Sequence, residues 1–145
     1  MGEELGFRGF ALTRLLSKTS PLKAAFYVGV LWTFWHAPGW FFTYDATQGI
    51  VMRSFGNILI SLLLQFVFTV SLIFLFTLLF IKAEANILTV SILHGSLNGF
   101  SAFFENKLFN LLDNDLWIIL DVLCFVVIGF FCIFYLRKYN EISTA

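Results

Sequence analysis

The sequence predicts an all-α fold, a polytopic transmembrane bundle of about four spans with a short N-terminal helix that is amphipathic or partly inserted. Three observations lead to this prediction. Hydrophobic residues make up 59% of the 145 residues, and charged residues make up 12%, about half the share in soluble domains. The mean hydropathy is +0.88, and the basic residues lie mostly between apolar blocks. Such a chain cannot cover a globular surface with polar groups, so we expect it in the lipid bilayer.

Each predicted element follows from an apolar stretch. About 20 consecutive apolar residues suffice to cross a bilayer, and four stretches approach or exceed this length, at 24–44, 55–81, 85–104 and 116–136. The first is interrupted by Pro38 and Gly39. Residues 4–17 form the short N-terminal helix, because Arg8 and Arg14 argue against a simple span. Loops are predicted at 18–21, 45–53, 82–84 and 105–115, and the length favours one domain over 1–145.

The distribution of Lys and Arg predicts the orientation, because cytoplasmic loops are enriched in these residues. With the N-terminus inside, seven of the nine basic residues are cytoplasmic, and only Arg53 and Lys107 lie outside. The sequence therefore predicts a multi-pass protein of the cell membrane with both termini in the cytoplasm. The net charge is zero, and nothing in the sequence indicates a nucleic-acid partner.

Polar residues inside the third stretch mark a possible functional site, since such residues in a span usually face the protein interior. His94 and Asn98 are four residues apart and share one helical face. Gly95 and Gly99, with Ser91 one turn earlier, form a stripe of small residues that would let a neighbouring helix approach closely. The alternative interpretation is that His94 and Asn98 only hydrogen-bond between helices and hold the bundle together.

The other histidine, His36, lies in the first stretch within the sequence WTFWHAPGW. Pro38 disturbs the helical turn before it, and a kink there would free backbone carbonyls and open a small polar cavity. Alternatively, Trp32, Trp35 and Trp40 form an aromatic belt at the membrane interface, with the histidine among them.

The chain opens with MGEELGFRGF, where Glu4 and Arg8 stand in the favourable i,i+4 order. We expect Arg8 to neutralise Glu4, which leaves Glu3 without that partner and lets it keep or gain basicity. Such a carboxylate suits a general base. The alternative is a solvated first turn whose acids are stabilised by the helix dipole.

Taken together, three short patterns occur in order, each on its own predicted helix. They are EExxxR at 3–8, WxxxH at 32–36 and HxxxN at 94–98. This combination resembles the CAAX protease and bacteriocin-processing (CPBP, or Abi) family of intramembrane proteases, which includes the Ras-converting CAAX protease. The family usually has FxxxH as its second motif, and Trp32 here takes the place of the phenylalanine. The resemblance covers residues 3 to about 104.

The resemblance implies an intramembrane endopeptidase that acts on a peptide or a membrane-anchored protein. It implies that Glu3 activates water, that His36 helps to hold that water, and that His94 and Asn98 stabilise the oxyanion. Glu4 and Arg8 would have supporting roles. In the family EExxxR follows several transmembrane helices, so the chain is similar to the C-terminal catalytic part of a longer fold.

Three further possibilities remain open. Zinc is a possible cofactor, with Glu3, His36 and His94 as ligands and water as the fourth, although no cofactor is favoured because Asn98 suits an oxyanion donor and adds nothing to a zinc shell. A non-catalytic membrane protein, such as a bacteriocin immunity factor, would keep the same residues as interhelical contacts. A small transporter or channel subunit would use Gln65, Asp121 and the histidines along a polar path.

Overall fold

The computed structural model describes the backbone of residues 2–45, 47–108 and 114–144, and the side chains of residues 2–39, 41–42, 47–99 and 122–139. The described backbone is mostly helical, in agreement with the predicted all-α class. Two helices are long and apolar enough to cross a membrane, and they span Phe55–Lys82 and Val122–Tyr139. The predicted bundle of four spans is therefore not confirmed within the described residues.

The N-terminal segment is helical throughout, but its hydrogen-bonding pattern changes along it. Helix α1 (Gly2–Glu4) is followed by a π-helix (Leu5–Leu12) and by helix α2 (Thr13–Leu16). We call these three pieces the leading segment. π-helical turns are rare and occur often at functional sites. Helix α3 (Pro21–Trp35) comes next, and Ser20 caps it by accepting a hydrogen bond from the backbone N–H of Lys23.

The single span predicted over 24–44 is wrong. Helix α3 ends at Trp35. A short helix, α4 (Pro38–Phe41), follows it and precedes strand β1 (Phe42–Asp45). Strand β1 pairs antiparallel with β2 (Gly49–Met52) to form a hairpin. The predicted loop 45–53 therefore contains a whole strand, β2. Gly49, at the start of β2, has a φ of 79°, a conformation that glycine adopts without steric cost.

Three longer helices complete the described fold. They are α5 (Phe55–Lys82), α6 (Ile87–Leu108) and α7 (Asn114–Thr144). Helix α5 packs most extensively against α7 and α3, which also contact each other. The turn before α6 ends at Asn86, whose Oδ1 accepts hydrogen bonds from the N–H groups of Leu88 and Thr89.

The core lies where α5 meets α3, the leading segment and α6. Its largest buried side chains include Leu12, Val28, Trp32 and Phe76. Glycine permits close packing at Gly29 of α3, where an added Cβ would lie 2.8 Å from Ile73 Cγ2 of α5. Helices α3 and α5 therefore pack closely at this position, and the leading segment and α6 border the same core.

Candidate functional site

The leading segment carries two buried charged side chains into the core. Glu4 is 1% exposed and Arg8 is 0% exposed, and Nη1 of Arg8 donates a hydrogen bond to Oε1 of Glu4 at 3.0 Å. The predicted pairing of these two residues is therefore present. The guanidinium also lies over the rings of Trp32 and Phe76, at 4.3 Å and 4.6 Å from their centroids. Such cation–π contacts help to offset the burial of the charge. The solvated-turn interpretation is wrong for Glu4.

Glu3 lacks Arg8 as a partner, as predicted, but its carboxylate is held by two indoles. Trp32 Nε1 donates to Oε2 at 3.0 Å, and Trp35 Nε1 donates to Oε1 at 3.2 Å. Burial acts to raise the pKa of Glu3, but these hydrogen bonds and the nearby His36 and His94 outweigh it, so the pKa lies below its usual value. The expectation that Glu3 keeps or gains basicity is wrong, because donors aimed at a carboxylate favour its ionised form.

His94 of α6 contacts both Glu4 and Trp32. Its Nδ1 lies 2.7 Å from Oε1 of Glu4, and its side chain is 16% exposed. Its ring meets the ring of Trp32 edge to face at a centroid distance of 5.4 Å. Asn98 lies one turn further along α6 and is exposed. His94 thus makes the interhelical contact that the alternative interpretation proposed, and it also borders the cavities described below.

His36 lies directly after the last residue of α3. Its backbone N–H bonds to the carbonyls of Phe34 and Thr33, which closes the final turn, and its half-buried ring is 5.9 Å from that of Trp32. The aromatic-belt interpretation is wrong for Trp32, which is 2% exposed. Trp35 is 61% exposed but donates to Glu3, and the side chain of Trp40 lies outside the described residues.

A small cavity of about 190 Å³ brings the four predicted catalytic residues together. Glu3, His36, His94 and Asn98 all line it, and they come from the leading segment, the end of α3, and α6. Helix α5 contributes Gln65 and Thr69 to the same wall. A predicted small polar cavity beside His36 is therefore present, although the helix ends there and does not merely kink.

A second cavity of about 1070 Å³ lies beside the first and shares part of its lining. Glu3, Glu4, His94 and Asn98 line it on one side. The remaining wall is largely apolar or without side chains and consists of Gly2, Gly6, Phe7, Ala11, Leu31, Phe34, Trp35, Ser91 and Gly95. This volume is large enough for an extended peptide segment or a lipid-like group, and it reaches the carboxylate of Glu3.

The glycine stripe on α6 does not act as predicted. A Cβ added at Gly95 or Gly99 would meet nothing within 4 Å, so no described helix packs closely against either glycine. Gly95 instead lines the larger cavity. The spacing indicates that a close approach is possible there, but the close approaches occur at Gly9 against Ile87, at Gly29 against Ile73 and at Gly129 against Ser71.

The proposed zinc ligands do not fit a metal site. Among the residues whose side chains are described, no group of three or more His, Cys, Asp or Glu is arranged to hold a metal ion. Both oxygens of Glu3 accept hydrogen bonds from indoles, and one ring nitrogen of His94 faces Glu4. Glu3, His36 and His94 therefore share a cavity without forming a ligand set.

Two features of the site do not follow from the sequence patterns. The sequence pattern predicts an aromatic belt for the indoles of Trp32 and Trp35, but both donate to Glu3. Thr69 of α5 is the second feature, and its signal in the sequence is a hydroxyl inside an apolar helix. Thr69 hydrogen-bonds with Thr33 of α3 and donates to the backbone carbonyl of Gln65. Gln65 was noted only for the transporter alternative, and the side chain of its proposed companion Asp121 lies outside the described residues.

Comparison with known proteins identifies one family. A family model described as Type II CAAX prenyl endopeptidase Rce1-like matches residues 1–100. The matched region contains all three sequence motifs and every described residue of the two cavities except Phe125 of α7. No curated protein and no solved structure was found to match the chain.

Proposed function

The chain belongs to the type II CAAX prenyl endopeptidase family, and from this premise we propose that it is a membrane endopeptidase in which Glu3, His36, His94 and Asn98 hydrolyse a peptide bond. The substrate is a peptide or a membrane-anchored protein. One observation carries the proposal: the four side chains, from three separate elements, line one cavity of about 190 Å³. That cavity adjoins the larger one, which is wide enough to present a chain to them.

Glu3 is the general base in this proposal. An ionised carboxylate offers about four acceptor positions on its two oxygens, and the two indoles occupy one on each oxygen. A water molecule in the small cavity has access to the remaining positions, and Glu3 removes its proton as it attacks the peptide carbonyl. His36, on the same cavity wall, helps to hold that water.

His94 and Asn98 stabilise the negative oxygen of the tetrahedral intermediate. Because Nδ1 of His94 faces the Glu4 carboxylate, Nε2 is the ring atom left for the reacting group, and it donates a hydrogen bond when the ring is protonated. The side-chain amide of Asn98 offers a second donor. Donors fixed before the reaction are effective because they need no reorganisation as charge develops. Glu4 and Arg8 support the site by holding His94 in place.

The basic residues support a membrane orientation with both termini in the cytoplasm. Arg14 and Lys18 lie at one end of the chain, Lys82 is the last residue of α5, and Arg137 and Lys138 lie near the end of α7. Under the positive-inside rule these groups mark the cytoplasmic face. Attachment of a bulky thiol reagent to cysteines introduced at Lys18 and at Arg53 tests this assignment, since we expect only the Arg53→Cys variant to be labelled from outside.

Peptide cleavage by the protein purified in detergent tests the enzymatic proposal. The probes are quenched fluorescent peptides with a CAAX-type C-terminus, one farnesylated and one not. We expect the wild type to cleave at least one of them and Glu3→Gln to lose cleavage. Glu84→Gln is the matched control, because Glu84 is an exposed acid in the turn after α5. Equal cleavage by the wild type and Glu3→Gln rules out Glu3 as the base, and no cleavage by either favours the non-catalytic alternative.

A further inference from the structure

Trp32 occupies the centre of the candidate site. It is 2% exposed, and its ring contacts three charged or titratable residues: Arg8 lies over its face at 4.3 Å, His94 meets it at 5.4 Å, and His36 lies at 5.9 Å. A phenylalanine ring at this position would have the same kinds of surface for these contacts. The ring contacts therefore do not account for a tryptophan here.

The indole N–H is what a tryptophan adds. Nε1 of Trp32 donates to Oε2 of Glu3 at 3.0 Å, a bond that links residues 29 positions apart in the chain. This bond joins the first sequence motif to the second. Trp35, one turn later on α3, donates to the other oxygen of Glu3 at 3.2 Å. The two indoles thus hold the carboxylate at both oxygens and restrict its rotation.

We propose that Trp32 is a positioning residue for the reaction, whose indole N–H fixes the orientation of the Glu3 carboxylate and keeps it ionised. The inference rests on the proposed function, since it assigns Glu3 the role of base. It adds Trp32, the first residue of the second motif, to the residues that act in the site.

Other charges near Glu3 belong to elements that pack around it. Glu4 and Arg8 lie in the leading segment and pair with each other, His36 follows α3, and His94 comes from α6. Helix α5 presents the uncharged Gln65 and Thr69 to the small cavity. Hydrogen bonds to an ionised carboxylate favour that form, and the lowered pKa of Glu3 agrees with this effect.

The substitution Trp32→Phe separates the ring from its N–H group. It keeps an aromatic surface for Arg8 and His94 and removes the donor to Glu3. A base must be deprotonated to act, so the acidic limb of the kcat/KM profile marks its ionisation. Loss of a donor that stabilises the carboxylate makes Glu3 take up its proton at higher pH. We therefore expect the acidic limb of Trp32→Phe to lie at higher pH than that of the wild type.

Two further variants give the comparison its controls. Trp35→Phe removes the second donor, and we expect the limb to move in the same direction but less, because Trp35 is 61% exposed and exposed hydrogen bonds compete with water. Tyr27→Phe also removes one polar hydrogen from α3, but Tyr27 is exposed and lines neither described cavity. We expect its profile to overlay that of the wild type.

Infrared titration provides a readout that does not depend on cleavage. The carboxylic C=O band of Glu3 is identified as the band lost in Glu3→Gln. We expect this band to appear at higher pH in Trp32→Phe than in the wild type as the sample is acidified. If the band titrates at the same pH in both proteins, the inference about Trp32 is overturned. If the band shifts but the wild type cleaves no peptide, the proposed function fails and the link between Trp32 and Glu3 stands.

Nuclear magnetic resonance of the wild type decides the question if Trp32→Phe does not fold. The indole Nε1–H resonance of Trp32 should move with pH in step with the Glu3 infrared band, and it should stay fixed over that range in Glu3→Gln. A Trp32 resonance that ignores the protonation of Glu3 contradicts the proposal.

Discussion

Nδ1 of His94 lies 2.7 Å from Oε1 of Glu4, although 90 residues separate them in the chain. The same oxygen accepts a hydrogen bond from Nη1 of Arg8. A single carboxylate oxygen therefore ties helix α6 to the leading segment and compensates the guanidinium beneath it. This arrangement assigns the two adjacent glutamates different tasks, since Glu4 holds the site together while Glu3 faces the cavity with no cation bonded to it.

The different tasks of Glu4 and Glu3 predict different costs of mutation. Glu4→Ala leaves the charge of the fully buried Arg8 without its carboxylate, and removal of one partner of a buried ion pair costs about 3–5 kcal/mol. Glu3→Ala removes a half-buried group whose partners are neutral indoles, so we expect a smaller loss. Thermal unfolding in detergent, followed by circular dichroism, compares the two variants. Equal losses of stability would contradict the division of roles.

Asn98 offers a test of the oxyanion site that is separate from folding. Asn98→Ala removes a proposed donor to the developing negative charge, and such a loss lowers kcat by about 10²–10³. Because Asn98 is exposed, we expect the melting temperature to stay close to that of the wild type. Ser96→Ala is the control, since Ser96 is an exposed polar residue of the same helix that lines neither cavity. An unchanged kcat in Asn98→Ala would remove Asn98 from the mechanism.

Gly29 is predicted to be required for the packing of α3 on α5. A Cβ at this position would lie 2.8 Å from Ile73 Cγ2 and 3.4 Å from Val70 Cα, so Gly29→Ala overpacks the contact at a cost of about 1–3 kcal/mol. Gly99→Ala meets nothing within 4 Å and should be neutral or slightly stabilising, because alanine favours a helix more than glycine. Unfolding measurements on both variants decide the matter. A Gly29→Ala protein as stable as Gly99→Ala would mean that α3 and α5 are further apart.

Gly95 offers a test of the larger cavity. Gly95→Leu places an isobutyl group in the space that the substrate would occupy, and we expect kcat/KM to fall by at least about tenfold through a higher KM. The melting temperature should hold, since an added Cβ meets nothing within 4 Å. Gly99→Leu adds the same group on the same helix at a glycine that does not line the cavity. If both variants lose the same activity, the cavity is not the substrate site.

Local sequence patterns predicted the features that depend on nearby residues. The long, mostly apolar stretch at 55–81 predicted a helix able to cross a membrane, and α5 (Phe55–Lys82) has that length and composition. The pairing of Glu4 with Arg8 follows from their spacing on one helical segment. The three motifs also indicated which elements meet, and the small cavity contains a residue from each motif.

Long-range contacts account for the features that the sequence did not predict. The residues from Gly39 to Tyr44 are apolar enough to extend a span, but β1 pairs with β2, and this pairing depends on residues beyond the turn. The glycine stripe on α6 indicated that a neighbouring helix would be able to pack closely there. It did not indicate whether a helix lies at that position. The hydrogen bonds from Trp32 and Trp35 to Glu3 depend on how the leading segment packs against α3, and local sequence patterns do not give that packing.

The π-helix at Leu5–Leu12 makes the candidate site sensitive to chain length. A π-helix has i→i+5 hydrogen bonds and turns by a smaller angle per residue than the α-helix, so a change of one residue in the length of this segment would rotate both acids by roughly a quarter turn relative to α2. Glu3 would then turn away from the indoles, and Glu4 would turn away from His94. Homologous chains that keep this arrangement of side chains are thus expected to vary in residue type along Leu5–Leu12 but to conserve the number of residues.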